Sequence, residues 1–233
     1  MTEFKWVLKI LKARLRTVTY GEENMFPLIS IAVFGNAAFD LVEGLVNPPK
    51  TPQESPDIGV LTIDGCAGTG RNSYAVSSLE AIKEQAKQSS ATIQYNGDND
   101  IIAANDFRGI YPRLDVCLVF VKPWAAETYD RSSFELSFNS TLLVSNVAKL
   151  RQSQTIVITN SGGTNSMPWS NNPDVTAILA THYPGQETGN SIVDVLLGKD
   201  QAKGETSIHW SQDIRRVRHP YCQPEWSRRR RRT

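Results

Sequence analysis

Apolar residues in this chain come in short unbroken runs separated by stretches of helical periodicity. The runs at 28–34, 91–95, 116–121 (VCLVFV), 155–159 (TIVIT) and 175–180 (VTAILA) are rich in β-branched residues. They are too short for ordinary helices, so they predict strands, most of them buried on both faces. The run at 116–121 is the strongest of these signals. Between the strands, Leu79, Ile82 and Ala86 fall on one face of a helix predicted over 78–88. Further helices are predicted over 142–150 and 191–197, the latter opening after Gly189-Asn190, and the polar stretch 96–100 reads as a turn.

Short apolar strands alternating with helices predict an α/β domain whose mainly parallel sheet carries helices on both faces. The flanks read differently. Phe4, Val7, Leu8, Ile10, Leu11 and Leu15 predict a basic helix over 3–18. Residues 46–57 hold four prolines and read as an irregular connection. Beyond 198 the chain turns polar and basic, ending in five consecutive arginines at 228–232 that read as a solvated tail.

Composition narrows the function classes. The 233 residues have a formal net charge of +1, with 40% hydrophobic and 21% charged residues, the profile of a soluble domain. Such a balance predicts no nucleic-acid or membrane partner. No run of 18 apolar residues occurs, and the first 19 residues lack the form of a signal peptide. Three scattered cysteines, Cys66, Cys117 and Cys222, include no CxxC pair, so neither a zinc site nor a disulfide framework is indicated. Cys117, inside an apolar strand, is expected to be a buried free thiol. One Asn-x-Ser/Thr sequence stands at Asn139-Ser140-Thr141, relevant only if the chain is secreted.

Several motifs imitate known sites and fail on chemistry. The glycine-rich stretch 65–70 has the frame of a phosphate loop, but Arg71 and Asn72 stand where Lys and Ser/Thr would reach phosphate and magnesium. His182, His209 and His219 form no pair at metal-ligand spacing, and no GxSxG elbow is present. No cofactor or metal is expected, and His182 is expected to be structural. The segment 121–131 (VKPWAAETYDR) is different. It lies after the strongest strand, where the carboxyl edge of a parallel sheet places functional loops. Within it Trp124 and Tyr129 offer faces for sugar rings, Glu127 an acid, and Asp130 and Arg131 partners for hydroxyls. A surface loop with a local ion pair would look the same.

Taken together, the segments resemble glycoside hydrolase family 3, especially its fungal β-glucosidases. IAVFGNAA at 31–38, the stretch from Gly59 to Arg71, and SYAVSSLEAIK at 73–83 are similar to the opening of that family's second domain. DVCLVFV at 115–121 with WAAETYDR at 124–131, TIVITN at 155–160, NPDVTAIL at 172–179 and PGQETGNSIVDV at 184–195 resemble the later segments of that domain, in order and spacing. The resemblance implies a three-layer sandwich with a largely parallel sheet of about six strands, spanning residues 29–200. A helical extension at 1–28 and the tail at 201–233 fall outside it.

It further implies retaining hydrolysis of terminal β-D-glucosyl residues, with β-glucosides or cello-oligosaccharides as substrates. In the family an N-terminal barrel packs beside this domain and supplies the nucleophilic aspartate. The position matching the family's acid/base glutamate is Glu127, with Asp130 and Glu135 as alternatives; Thr128 stands where the family usually has glycine. Trp124, Tyr129, Asp130 and Arg131 are the expected substrate contacts. A retaining mechanism needs two carboxyl groups about 5 Å apart, one attacking and one protonating the leaving oxygen. A barrel needs ~250 residues of its own, so this chain alone is expected to be inactive. The other expectation is a non-catalytic fragment, at most a weak carbohydrate-binding or interface module. The family is often secreted.

Overall fold

The computed structural model describes residues 29–41, 59–63, 72–89, 91–111, 114–123, 131, 133–152 and 154–199. Five strands form one sheet: β1 (Ser30–Phe34), β2 (Thr92–Asn96), β3 (Val116–Val121), β4 (Thr155–Thr159) and β5 (Val175–Ala180). Their order is β2-β1-β3-β4-β5 and every pairing is parallel. Of the about six strands expected, the described residues contain these five. The predicted N-terminal helix, the proline-rich connection, the glycine-rich stretch and the basic tail lie outside the described residues.

Strand alternation sorts the core into two halves, since successive side chains leave opposite faces of a strand. Ile31, Val33, Leu118, Phe120, Ile156 and Ile158 pack on one face beneath α1 (Ser78–Ser89) and α4 (Thr188–Leu196). Ala32, Phe34, Cys117, Val119, Val121 and Val157 pack on the other. There they meet α2 (Asn99–Ala103) through Ile102, and α3 (Ser140–Leu150) through Leu143, Val144 and Val147. The three central strands are buried along their whole length, which is why they read as unbroken apolar runs. Each buried aliphatic side chain contributes about 1.5–3 kcal/mol.

The helices begin where capping chemistry and close packing permit. Ser77 accepts from the Glu80 amide at 3.2 Å and so caps α1, which carries Glu80 in its first turn and Lys87 in its last, as the helix dipole favours. The stretch read as a turn at 96–100 instead opens α2. Asp98 caps it, accepting from the amides of Asp100 and Ile101 at 3.0 Å each. Five residues are too few to show a period of 3.6, so only the cap signalled it. Helix α4 starts before Gly189 rather than after it. That glycine lies inside the helix because a Cβ would collide with the Ser77 carbonyl oxygen, against which α4 packs.

Candidate functional site

Strand order reverses between β1 and β3: the chain goes from β1 out to β2 and returns to β3 on the other side. In open parallel sheets the crevice outside the carboxyl ends of such strands is the usual ligand position. Each of the three central strands here hands over to a polar residue at that end. Asn36 lies just past β1, Lys122 past β3 and Asn160 past β4, and all three are buried.

The crevice is built by backbone approach. Gly35 stands at φ 97°, and a Cβ there would strike the Phe120 carbonyl oxygen, so the end of β1 passes β3 only with glycine. Asn36 donates its amide to Asn99 Oδ1 at 2.8 Å, and Asn99 Nδ2 donates to the Phe138 carbonyl at 2.7 Å. The loop after β1, the start of α2 and the turn before α3 are thereby tied together. The Lys122 ammonium, only 4% exposed in its residue as a whole, donates to the Gly59 carbonyl at 2.8 Å and lies 5.4 Å from the Phe138 ring centroid. Gly59 in turn donates to the Asn36 carbonyl at 3.0 Å. The side-chain oxygens of Asn36 and Asn160 are buried and find no hydrogen-bond donor among the described residues. Buried polar atoms of this kind cost free energy unless something satisfies them.

Beside this polar row begins the segment predicted to do chemistry. Lys122 and Pro123 are described, whereas Trp124, Glu127, Tyr129 and Asp130 lie outside the described residues. Arg131 closes the segment. Its guanidinium donates to the Thr164 carbonyl at 3.1 Å and to the Glu135 carbonyl at 2.9 Å, bridging the stretch before α3 to the loop after β4. Burial holds its pKa below the usual arginine value, partly offset by Tyr183. Two of the five Arg131 donors thus go to backbone. Glu135, one of the alternative acids, has a backbone fixed by a bridge to Ser166, while its residue is exposed to solvent.

A second cluster lies on the loop after β5. Tyr74 donates its hydroxyl to Glu187, whose other carboxylate oxygen accepts from Asn190 at 2.6 Å. This hydrogen bond raises the Tyr74 pKa and, together with the one from Asn190, lowers that of Glu187. His182 adopts φ 52° with Nδ1 3.1 Å from the Ser161 carbonyl, a loop-fixing role. Cys117 is a buried free thiol, as expected, its pKa pushed up to about 12 by desolvation. No group of three or more metal-ligating side chains occurs among the described residues, and no helix there is long and apolar enough to cross a membrane.

Sequence reasoning named the loop after β3 but missed Asn36, Lys122 and Asn160. Their only signal is position: each is the first strongly polar side chain after an apolar strand.

Known proteins are similar to this chain in sequence and in fold. The model of the glycosyl hydrolase family 3 C-terminal domain matches residues 21–232. The probable beta-glucosidase G of Aspergillus terreus is 41% identical over 203 residues, which is 85% of this chain and 24% of that protein. Its Aspergillus flavus counterpart is 44% identical over 178 residues, 76% of this chain and 21% of that one. Among solved structures, a glycoside hydrolase family 3 beta-glucosidase from Neurospora crassa superposes with a TM-score of 0.68 at 27% identity, covering 91% of this chain and 26% of its own. A Chaetomium thermophilum beta-glucosidase gives 0.68 at 28%, covering 89% and 26%. The chain thus spans about a quarter of the length of the curated relatives it matches.

Proposed function

The chain belongs to glycosyl hydrolase family 3 through its C-terminal domain, and on that premise we propose that it supplies the acid/base half of a retaining β-glucosidase site. Glu127 is the acid/base residue. The observation that favours this is the position of its segment, which leaves β3 beside the strand-order reversal, between buried Lys122 and the clamped Arg131. Trp124 and Tyr129 would supply aromatic faces to the sugar, and Asp130 a hydroxyl partner. Arg131 fixes the segment's end through two backbone carbonyls, and the remaining N–H donors of its guanidinium would serve substrate hydroxyls.

The chemistry requires a second carboxylate to attack the anomeric carbon, about 5 Å from the first. We assign that nucleophile to a barrel domain outside these 233 residues. Glu127 would then protonate the leaving oxygen in the first step and deprotonate water in the second. The substrates are terminal β-D-glucosides or cello-oligosaccharides, and the protein is exported, as is usual for the family.

The test is hydrolysis of an aryl β-glucoside by the purified chain beside Glu127→Gln. No turnover is expected from either protein. Turnover in the wild-type chain would contradict the assignment of the nucleophile to another domain.

A further inference from the structure

We propose that Asn139 is an N-glycosylation site whose first sugars shield an apolar patch between α2 and α3; this rests on the export proposed above. Asn139-Ser140-Thr141 meets the acceptor rule, which calls for an asparagine on the surface. Here the asparagine is exposed, at the tip of a tight turn in which Phe138 and Asn139 adopt φ 59° and 54°. It occupies the N-cap position of α3, yet its side chain makes no capping hydrogen bond. Its Nδ2 reaches outward to Asp100 Oδ1 on α2 at 2.6 Å. Glycosylation converts this primary amide to a secondary one, which keeps one N–H for Asp100. Helix α3 therefore loses no cap and the turn keeps its tie to α2.

The surroundings point the same way. Each end of the Asn139–Asp100 hydrogen bond is flanked by an exposed aliphatic side chain. Ile101, beside Asp100, is 44% exposed, and Leu142, three residues beyond Asn139, is 55% exposed. Their neighbours Ile102 and Leu143 are fully buried, so these two side chains are left on the outer surface of the helices. A sugar ring's C–H face anchored at Asn139 would cover such a patch.

The modification is a balanced transfer. Asn139 Nδ2 attacks the anomeric carbon of a lipid-diphosphate-linked oligosaccharide, the C–O bond to the diphosphate breaks, and the amide proton and the lipid diphosphate leave.

The experiment fuses the full chain behind a cleavable secretory leader and translates it with microsomes, so that entry does not depend on the export proposal. Peptide mass mapping is performed before and after treatment with peptide N-glycosidase. A single glycan-sized mass shift is expected on the Asn139 peptide, absent from Asn139→Gln and from Thr141→Ala. The second variant leaves the Asn139–Asp100 hydrogen bond intact and so separates loss of the acceptor from loss of folding. Protease-protected chain with unmodified Asn139, or a shift that survives in Thr141→Ala, would overturn the proposal. Secretion of the chain from its own host without a leader tests the export reading separately.

Discussion

The two ends of the sheet differ in what they are made of. Toward the amino ends, Ile31 and Leu118 meet Ile82, Ala86, Val193 and Leu196 around an apolar cavity of about 30 Å³. At the carboxyl ends these two strands and β4 deliver Asn36, Lys122 and Asn160 into buried positions. The first end lowers the free energy of the fold. The second spends part of it, since buried amide oxygens and an ammonium must be compensated within a packed interior. This asymmetry is what a parallel sheet with a site at one end is expected to show.

Substitutions at each end can break or sharpen that comparison. The largest effect is expected at the carboxyl end from Gly35→Ala, which combines φ 97° with a collision against the Phe120 carbonyl. A loss of at least about 4 kcal/mol in urea unfolding is expected, near the limit for a single substitution. Leu118→Ala, in the apolar half, should cost about 2–5 kcal/mol through lost burial and an enlarged cavity. Lys122→Met keeps the aliphatic stem but leaves the Gly59 carbonyl without its ammonium donor, and should cost about 1–3 kcal/mol. A Lys122→Met protein more stable than the wild type would mean the buried charge is not held for stability at all.

Cys117 gives a pH test of the core between the ends. Desolvation raises its thiol from the ordinary value of 9.0 to about 12, against a smaller opposing effect of Arg151. The folded state therefore keeps a proton that the unfolded state gives up. Its contribution is complete below pH 9.0 and is lost as pH rises toward about 12, at about 1.4 kcal/mol per pH unit. The stability difference between the wild type and Cys117→Ala should be constant below pH 9.0 and shift in favour of the variant only in that window, and native Cys117 should resist alkylation. The smallest expected effect is Asp98→Ala, which removes the cap of α2 and should cost about 1 kcal/mol.

The two ends were also unequally legible in the sequence. The central strands announced themselves because burial on both faces leaves no polar residue inside 116–121 and only threonines at the ends of 155–159. Helix α2 did not, because five residues show no periodicity, and Gly189 misled because a glycine that breaks a helix and one that admits a neighbouring backbone look alike in sequence. At the polar end, Asn36, Lys122 and Asn160 resemble ordinary loop beginnings until the fold places them side by side. The partner of Arg131 was equally hidden, since the Thr164 carbonyl is 33 residues away and carries no side-chain signature. Glu127 is proposed through family resemblance alone, and its segment lies outside the described residues.

The role of Glu127 is tested most directly by joining this chain to a family 3 barrel and varying the leaving group. Two β-glucosides are compared, one with an activated aryl leaving group and one with an unactivated alkyl leaving group, in the wild type and Glu127→Gln. Loss of a general acid should lower kcat/KM for the unactivated glycoside by roughly 10²–10⁴-fold while sparing glycosylation by the activated one. Equal losses on both substrates, or no loss on either, would contradict the assignment of Glu127 as the acid/base residue.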